Sequence, residues 1–559
     1  MLRRVRVMLV AVVVVAALLA AAAPASAVHR PTRVMIVVMD QMQPGYARQY
    51  NMTNVLWLQN KGLNFPNAYV GDMASETVVS HNVMVSGLFP KHMGWSDEAI
   101  RDVDNVLGYG ADAIVTTGDL GTDAFVKLIE NMDYPKLGDY LHAKFPGKIV
   151  ANVGQKSYQV ESMAASSSDY WVRMDSAKAT TTLLDPTVVP WVGKYRGPSG
   201  QLPSYISSDD RFLISAGNPS DTYDTTSTAP AWIIPEDGRY VPGTYAGHES
   251  GDNWVADAAT KIMDNEDWSG LWVTFSAIDR IGHMWGGGAV DNVGTYQWDP
   301  ASILNTVHMP WIAKNADDQL GKLIAKLKEK NQFNDTLIIV TADHGSTYGA
   351  GPDGFKGVNE LNAGNDHNWY AGTWHAGSST ESTSTGPPAL KPLMDTGNVL
   401  FSYQSTAIET WLIDKTIVEK RAAAAVMETL PGVIATYITH DDRYKLYSSL
   451  ATMTAAEKTW WTAHGQELVN TMACSGSADV VGLLADKTSY GAFGDHGGAQ
   501  KDVQRIPMVW YMPGMQHAVD NKTAMRLVDI MPTILKTMGI PAKMSDPMDG
   551  SAYTLPLPK

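Results

Sequence analysis

Five short runs of β-branched and apolar residues dominate this chain: Val34–Met39, Lys148–Val153, Leu271–Ser276, Thr336–Thr341 and Met508–Met512. Each is bounded by polar turn residues. Near-continuous apolar runs of this length suit strands covered on both faces, whereas a sheet with one wet face would show alternation. Helical patterns lie between them, clearest over Asp317–Lys330, where Leu320, Leu323, Ile324 and Leu327 share one face. The Ala-rich piece Arg421–Leu430 reads as a further helix. Alternation of strand and helix predicts a doubly wound, mostly parallel α/β sheet, whose ligand sites gather at the carboxyl ends of the strands.

Acidic residues and histidines stand at that edge. Asp40 ends the first run, Asp279 follows the third by three residues, and Asp343 and His344 follow the fourth by two. Two stretches rich in Ser, Thr, Asp, Pro and Gly, around 100–245 and 346–398, read as an inserted cap and loops within one domain over 28–559.

The first 27 residues stand apart. Arg3, Arg4 and Arg6 precede an apolar run from Met8 to Ala23, and Ala25-Ser26-Ala27 supplies a small-residue cleavage pattern. Sixteen residues are short for a membrane span of about 20, so the segment reads as a cleaved signal peptide and the mature protein as exported, without a membrane span. Its removal takes three arginines and moves the formal charge from −15 to −18. That acidity excludes a role coating nucleic acid, although a bound metal can still hold an anionic substrate. Cys474 is the only cysteine, so no intramolecular disulfide forms and stability must rest on the core or on bound metal.

Asp279-Arg-Ile-Gly-His283 spaces a carboxylate and an imidazole by four, so both face one metal from a single helical turn. Gly282 leaves room for close approach. Asp343-His344-Gly345 places two ligands at a strand end with a glycine for the tight turn, and Gly494-Asp495-His496-Gly497-Gly498 presents an imidazole from a loop. Mixed His and Asp ligands suit zinc, with manganese or iron as alternatives.

With these motifs the chain resembles the alkaline phosphatase superfamily, and within it the type I phosphodiesterase/nucleotide pyrophosphatase branch. The resemblance runs from Val34–Asp40 to Asp529–Leu535 and Met548-Asp-Gly550. Its most specific part is Thr77-Val-Val-Ser-His81, followed by Gly87-Leu-Phe-Pro90-Lys-His-Met-Gly94, which is similar to that branch's nucleophile segment. The resemblance implies two zinc ions, one held by Asp40, Asp343, His344 and the Thr77 oxygen, the other by Asp279, His283 and His496. It further implies that Thr77 is the nucleophile, phosphorylated and then released, acting on small phosphate esters. A zinc-bound threonine oxygen has a lowered pKa, which such a weak nucleophile needs. His81 is not a ligand in the resembling branch and is expected to pack or hydrogen-bond, while His92, His367 and His375 read as surface or loop histidines.

Two positions depart from the pattern. Glu98, preceded by Asp97, stands where the branch places an asparagine that donates to a phosphoryl oxygen. Lys156 is kept where related threonine-type phosphomonoesterases carry a Lys-x-Arg clamp, but Tyr158 replaces the arginine. Glu98, Lys156 and Tyr158 are therefore expected to line the substrate pocket and to favour phosphodiesters or pyrophosphate-linked nucleotides. A phosphomonoesterase or phosphonate hydrolase is the alternative, with a phosphotransferase or a catalytically silent binding protein as readings of another class. A type I sulfatase is not the expectation, since Cys474 sits in Ala-Cys-Ser-Gly rather than in a Cys/Ser-x-Pro-x-Arg setting.

Overall fold

The computed structural model describes residues 28–558 apart from 112, 118–119, 121, 177–190, 197–202, 207–250, 286–307, 348–355, 358–367, 371–373, 377–378, 382–387, 450–451, 491–493 and 543–547. The signal-peptide reading of 1–27 and the histidine at 367 lie outside these residues.

All five apolar runs form strands of one nine-stranded sheet. We label them β1 (Arg33–Met39), β2 (Ile149–Gly154), β3 (Trp268–Phe275), β4 (Thr336–Thr341) and β5 (Met508–Tyr511). Strand β1 lies at the centre, parallel to β4 on one side and to β3 on the other, and β3 is parallel to β2. Strand β5 runs antiparallel to β4. The strands β3 and β4 are buried at every position, which is why their sequences do not alternate.

Helices cover both faces: α1 (Thr77–Ser86), α2 (Ser157–Ala164), α3 (Gly251–Asn265), α4 (Ala277–Trp285) and α5 (His308–Glu329). Helix α5 covers the expected Asp317–Lys330 pattern as far as Glu329, with Leu320, Leu323 and Leu327 fully buried. The Ala-rich helix spans Ile417–Met427. Part of the 100–245 stretch belongs to the central sheet: besides β2, Tyr170–Ser176 and Trp191–Arg196 extend its far edge.

A second, six-stranded sheet has the spatial order Asn368–Tyr370, Val399–Gln404, Ala407–Leu412, Val480–Leu484, Val433–Thr439 and Tyr444–Ser449. The tight turn Ser405-Thr406 of this sheet holds the loop that carries His496: both hydroxyls donate to the Gly497 carbonyl, at 2.7 and 3.0 Å. Among the described residues no helix is long and apolar enough to cross a membrane.

Candidate active site

The carboxyl ends of β1, β3 and β4 bring Asp40, Asp279 and Asp343 together, although 239 and 64 residues separate them along the chain. Asp343 is fixed by its Oδ1, which accepts from the Gln41 amide at 3.1 Å and from the His344 amide at 3.0 Å. Its Oδ2, like Asp40 Oδ1, is buried without a hydrogen-bond donor. Both of these oxygens face His344 Nε2, at 3.6 and 3.5 Å. The Thr77 hydroxyl, at the first residue of α1, reaches the same nitrogen at 3.1 Å. His344 donates from Nδ1 to the Gly345 carbonyl at 2.9 Å, which leaves Nε2 as a lone-pair donor. Burial pushes its pKa down to about 3, so the ring is neutral.

Beside this group lies a second one. His283 Nε2 is 3.2 Å from Asp279 Oδ1 and 3.2 Å from His496 Nε2, and His496 Nε2 is 3.5 Å from Asp279 Oδ1. The His344 and His496 rings stack with centroids 3.7 Å apart, which joins the two groups edge to edge. Metal fit can be tested on these numbers. Ligands held at about 2.1 Å in a tetrahedron stand about 3.4 Å from one another, close to the separations of both groups. Orphaned buried carboxylate oxygens aimed at a neutral imidazole are what a cation satisfies. The donor set is therefore fit for divalent metal.

Several residues that build this site carry no motif. Asp252 on α3 accepts from the amides of Ser276 (2.9 Å) and Ala277 (3.3 Å), capping the start of α4 and so aiming Asp279 and His283. Gln41 donates to Asp279 Oδ1 at 3.0 Å and to the Gly494 carbonyl, and its backbone is left-handed at φ 67°. Such strain next to a ligand persists only where the surroundings over-determine it. A Cβ at Gly282 would meet Gln41 Oε1 at 1.8 Å, so a larger residue there would have to displace the Gln41 side chain. At Gly345 a Cβ would meet the Asp502 carbonyl at 2.1 Å, so the chain approach behind His344 admits only glycine. Glu76, immediately before Thr77, places Oε2 2.6 Å from His496 Nδ1. A carboxylate behind a ligating imidazole fixes its tautomer and orientation. Only residues adjacent in sequence, Gln41 and Glu76, could have been suspected from the sequence.

His81 is buried and donates from Nδ1 to the Thr77 carbonyl at 2.7 Å, while its Nε2 accepts from the Thr274 hydroxyl at 3.0 Å. Burial lowers its pKa, in keeping with this neutral tautomer. It braces the first turn of α1. His92 is exposed and pairs with Asp549.

The three expected pocket residues face different partners. Lys156 sends its ammonium to Asp279 Oδ2 at 2.6 Å and Asp40 Oδ2 at 2.8 Å. The ring of Tyr158 has that ammonium 5.9 Å from its centroid. Glu98 is half-buried, and its Oε2 accepts from the Tyr403 hydroxyl at 3.2 Å.

Behind Glu98 sit two buried acids, Asp97 and Glu409; burial, followed by the charge of Glu409, holds the Asp97 carboxyl well above the usual range. Burial pushes Glu409 up to about 7 from an ordinary 4.5. A carboxyl whose folded pKa is raised contributes stability that is fully present below pH 4.5 and is lost as pH rises through 7. Glu409→Gln, which keeps a donor without a titrating proton, is expected to flatten the thermal-stability profile between about pH 5 and 7. At pH 8 it should stabilise by no more than about 3 kcal/mol. Melting curves across that range test this, and an unchanged slope would show that the pair does not titrate there.

Residues 34–367 match the family described as type I phosphodiesterase / nucleotide pyrophosphatase. A relative, the alkaline phosphatase PhoD of Zymomonas mobilis, is 21% identical over 582 residues, spanning 95% of this chain and 90% of that protein. The solved structure of wild-type alkaline phosphatase PafA is similar with a TM-score of 0.59 at 14% identity, over 92% of this chain and 97% of that one. An inactive murine ectonucleotide pyrophosphatase/phosphodiesterase 5 in complex with AMP gives 0.50 at 11% identity, over 93% and 97%. The likeness to solved structures shows the fold, and the family match covers the strand ends that carry Asp40, Asp279, Asp343 and His344. The chain thus belongs to the type I phosphodiesterase/nucleotide pyrophosphatase family, phosphoric ester hydrolases of the alkaline phosphatase superfamily.

Proposed function

We propose that this protein is an exported two-zinc phosphohydrolase that cleaves phosphodiester or pyrophosphate-linked substrates through a phospho-threonine intermediate, in one catalytic domain over 28–559. The carrying observation is the convergence of the Thr77 hydroxyl, at a helix N-terminus, and of Asp40 Oδ1 and Asp343 Oδ2 on His344 Nε2. Asp40, Asp343, His344 and Thr77 would hold one zinc, and Asp279, His283 and His496 the other. Bound zinc would supply a lowered pKa for the hydroxyl and for water, and positive charge for the phosphoryl oxygens.

The chain's own residues do the rest. Thr77 Oγ1 gives up its proton and forms a bond to phosphorus as the bond to the ester oxygen breaks, that oxygen leaving with a proton from water. A water oxygen then bonds to phosphorus, the Oγ1–phosphorus bond breaks and Oγ1 regains a proton. The first-turn amides of α1 point their dipole at the anionic phosphoryl group. His81 holds the Thr77 carbonyl, and therefore that turn, in place. The apolar run after Arg3, Arg4 and Arg6 supports export.

Ester choice is tied to Glu98. A monoester dianion brings one more negative charge than a diester, and a carboxylate about 4 Å away opposes it by about 4 kcal/mol at an effective dielectric of 20. The Lys156 ammonium, already engaged by two carboxylates, offsets little of this. We therefore expect hydrolysis of bis(p-nitrophenyl) phosphate to exceed that of p-nitrophenyl phosphate. Glu98→Asn should raise kcat/KM for the monoester relative to the diester. The names of the PhoD relative and of PafA favour the monoester as the second reading. Faster monoester turnover by the unaltered protein would establish it. Inactivity on both compounds would point to a narrow substrate or a silent binding protein.

A further inference from the structure

Lys156 follows the carboxyl end of β2, and as the residue capping α2 it enters the site from a strand that supplies no ligand. Its backbone amide donates to Gln159 Oε1 at 3.2 Å, and that same oxygen accepts from the Ser276 hydroxyl at 2.7 Å. Gln159 Nε2 in turn donates to Asp40 Oδ2. The base of the lysine is thus held from both sides, and its ammonium, with the side chain only 7% exposed, ends between Asp40 and Asp279.

The oxygens it takes are the informative part. Asp40 gives Oδ2 to Lys156 and Gln159 and turns Oδ1 towards His344. Asp279 gives Oδ2 to Lys156 and turns Oδ1 towards His283 and His496. One ammonium therefore grips the outer oxygen of a carboxylate from each group; the inner oxygen of Asp40 faces the first group, and that of Asp279 faces the second while also accepting from Gln41 Nε2 at 3.0 Å. The other charged groups around the ammonium are Asp343 and Arg280.

We infer that Lys156 is a positioning residue that bridges the two metal groups, holding Asp40 and Asp279 in one-oxygen ligation, rather than a clamp on the substrate phosphate. The bridge sets the orientation of one ligand in each group through a single cation. It also supplies part of the positive charge that offsets three buried carboxylates when no metal is bound. A flexible lysine suits this, because its ammonium is a compact point donor with three hydrogens to share among carboxylates. This inference rests on the two-metal reading above.

The test uses the full-length protein with zinc and inorganic phosphate as probes. A crystal structure of the zinc-loaded, phosphate-bound protein should keep Nζ within hydrogen-bond distance of both Asp40 Oδ2 and Asp279 Oδ2. An ammonium on the phosphate, clear of either carboxylate, would overturn the inference. Lys156→Met removes the charge at similar length. The metal-free variant should melt at least about 3 °C below the metal-free parent. Zinc-edge X-ray absorption of the loaded variant should show carboxylates moving to two-oxygen ligation. An unchanged metal-free melting point together with unchanged ligation would sink it. A parent protein that binds no zinc would instead refute the two-metal reading, so the two failures are distinguishable.

Discussion

Thr77→Ala is expected to lose turnover by about 10³-fold or more while remaining folded and still binding metal. Fold retention follows from position. Thr77 opens α1, whose ten residues are all buried, and alanine is the best helix former. The hydroxyl makes one contact with the ligand set, to His344 Nε2, while Asp40, Asp343, Asp279, His283 and His496 keep their own arrangement. The catalytic loss follows from chemistry, since no covalent intermediate can form without the oxygen. Two neighbouring hydroxyls could in principle substitute. Ser75 Oγ is engaged with Gly498, at 3.1 Å to its carbonyl and 2.8 Å to its amide. Ser80 Oγ is buried one turn deeper in the helix. Steady-state rates on a diester and a monoester, with zinc content measured on the same sample, decide the matter. Near-normal rates in Thr77→Ala would move the nucleophile elsewhere.

Exhaustive chelation should abolish turnover and lower the melting temperature, with zinc restoring both. Three buried carboxylates, Asp40, Asp279 and Asp343, face one another across the site. Burial, followed by the charges of Asp279 and Asp343, pushes the Asp40 carboxyl well above the usual range, while Lys156 pulls the other way. A single ammonium is a small counterweight to three carboxylates, so bound cations stabilise the native state over the unfolded chain. A metal present at 100 times its Kd adds about 2.7 kcal/mol per site. Differential scanning calorimetry before and after chelation, and after zinc is returned, measures this. Full activity in the stripped protein would end the two-metal mechanism, and full stability would show that the carboxylates are neutralised by the chain alone.

What the sequence determined by itself was the sheet and the positions at its edge. The buried strands are legible because burial on both faces removes alternation, leaving the apolar runs of β1 to β5. The positions of Asp40, Asp279, Asp343 and His344 are legible because a doubly wound sheet exposes functional groups at strand ends, so that counting residues past each run suffices. The His283 spacing is legible for a similarly local reason, one helical turn.

Other parts of the site were decided by tertiary structure alone, because they depend on contacts between residues far apart in the chain. Asp252 aims α4 from 25 residues away through backbone amides, which leave no mark on the side-chain pattern. Glu76 meets His496 only because the second sheet's turn Ser405-Thr406 carries the Gly497 loop to the start of α1. Lys156 shows the difference most sharply. Its place after β2 suggests a cation for phosphate, yet which anion it meets depends on the outer oxygens of Asp40 and Asp279, 116 and 123 residues away. A sequence records that an ammonium is present; charge, distance and burial in the folded chain select its partner.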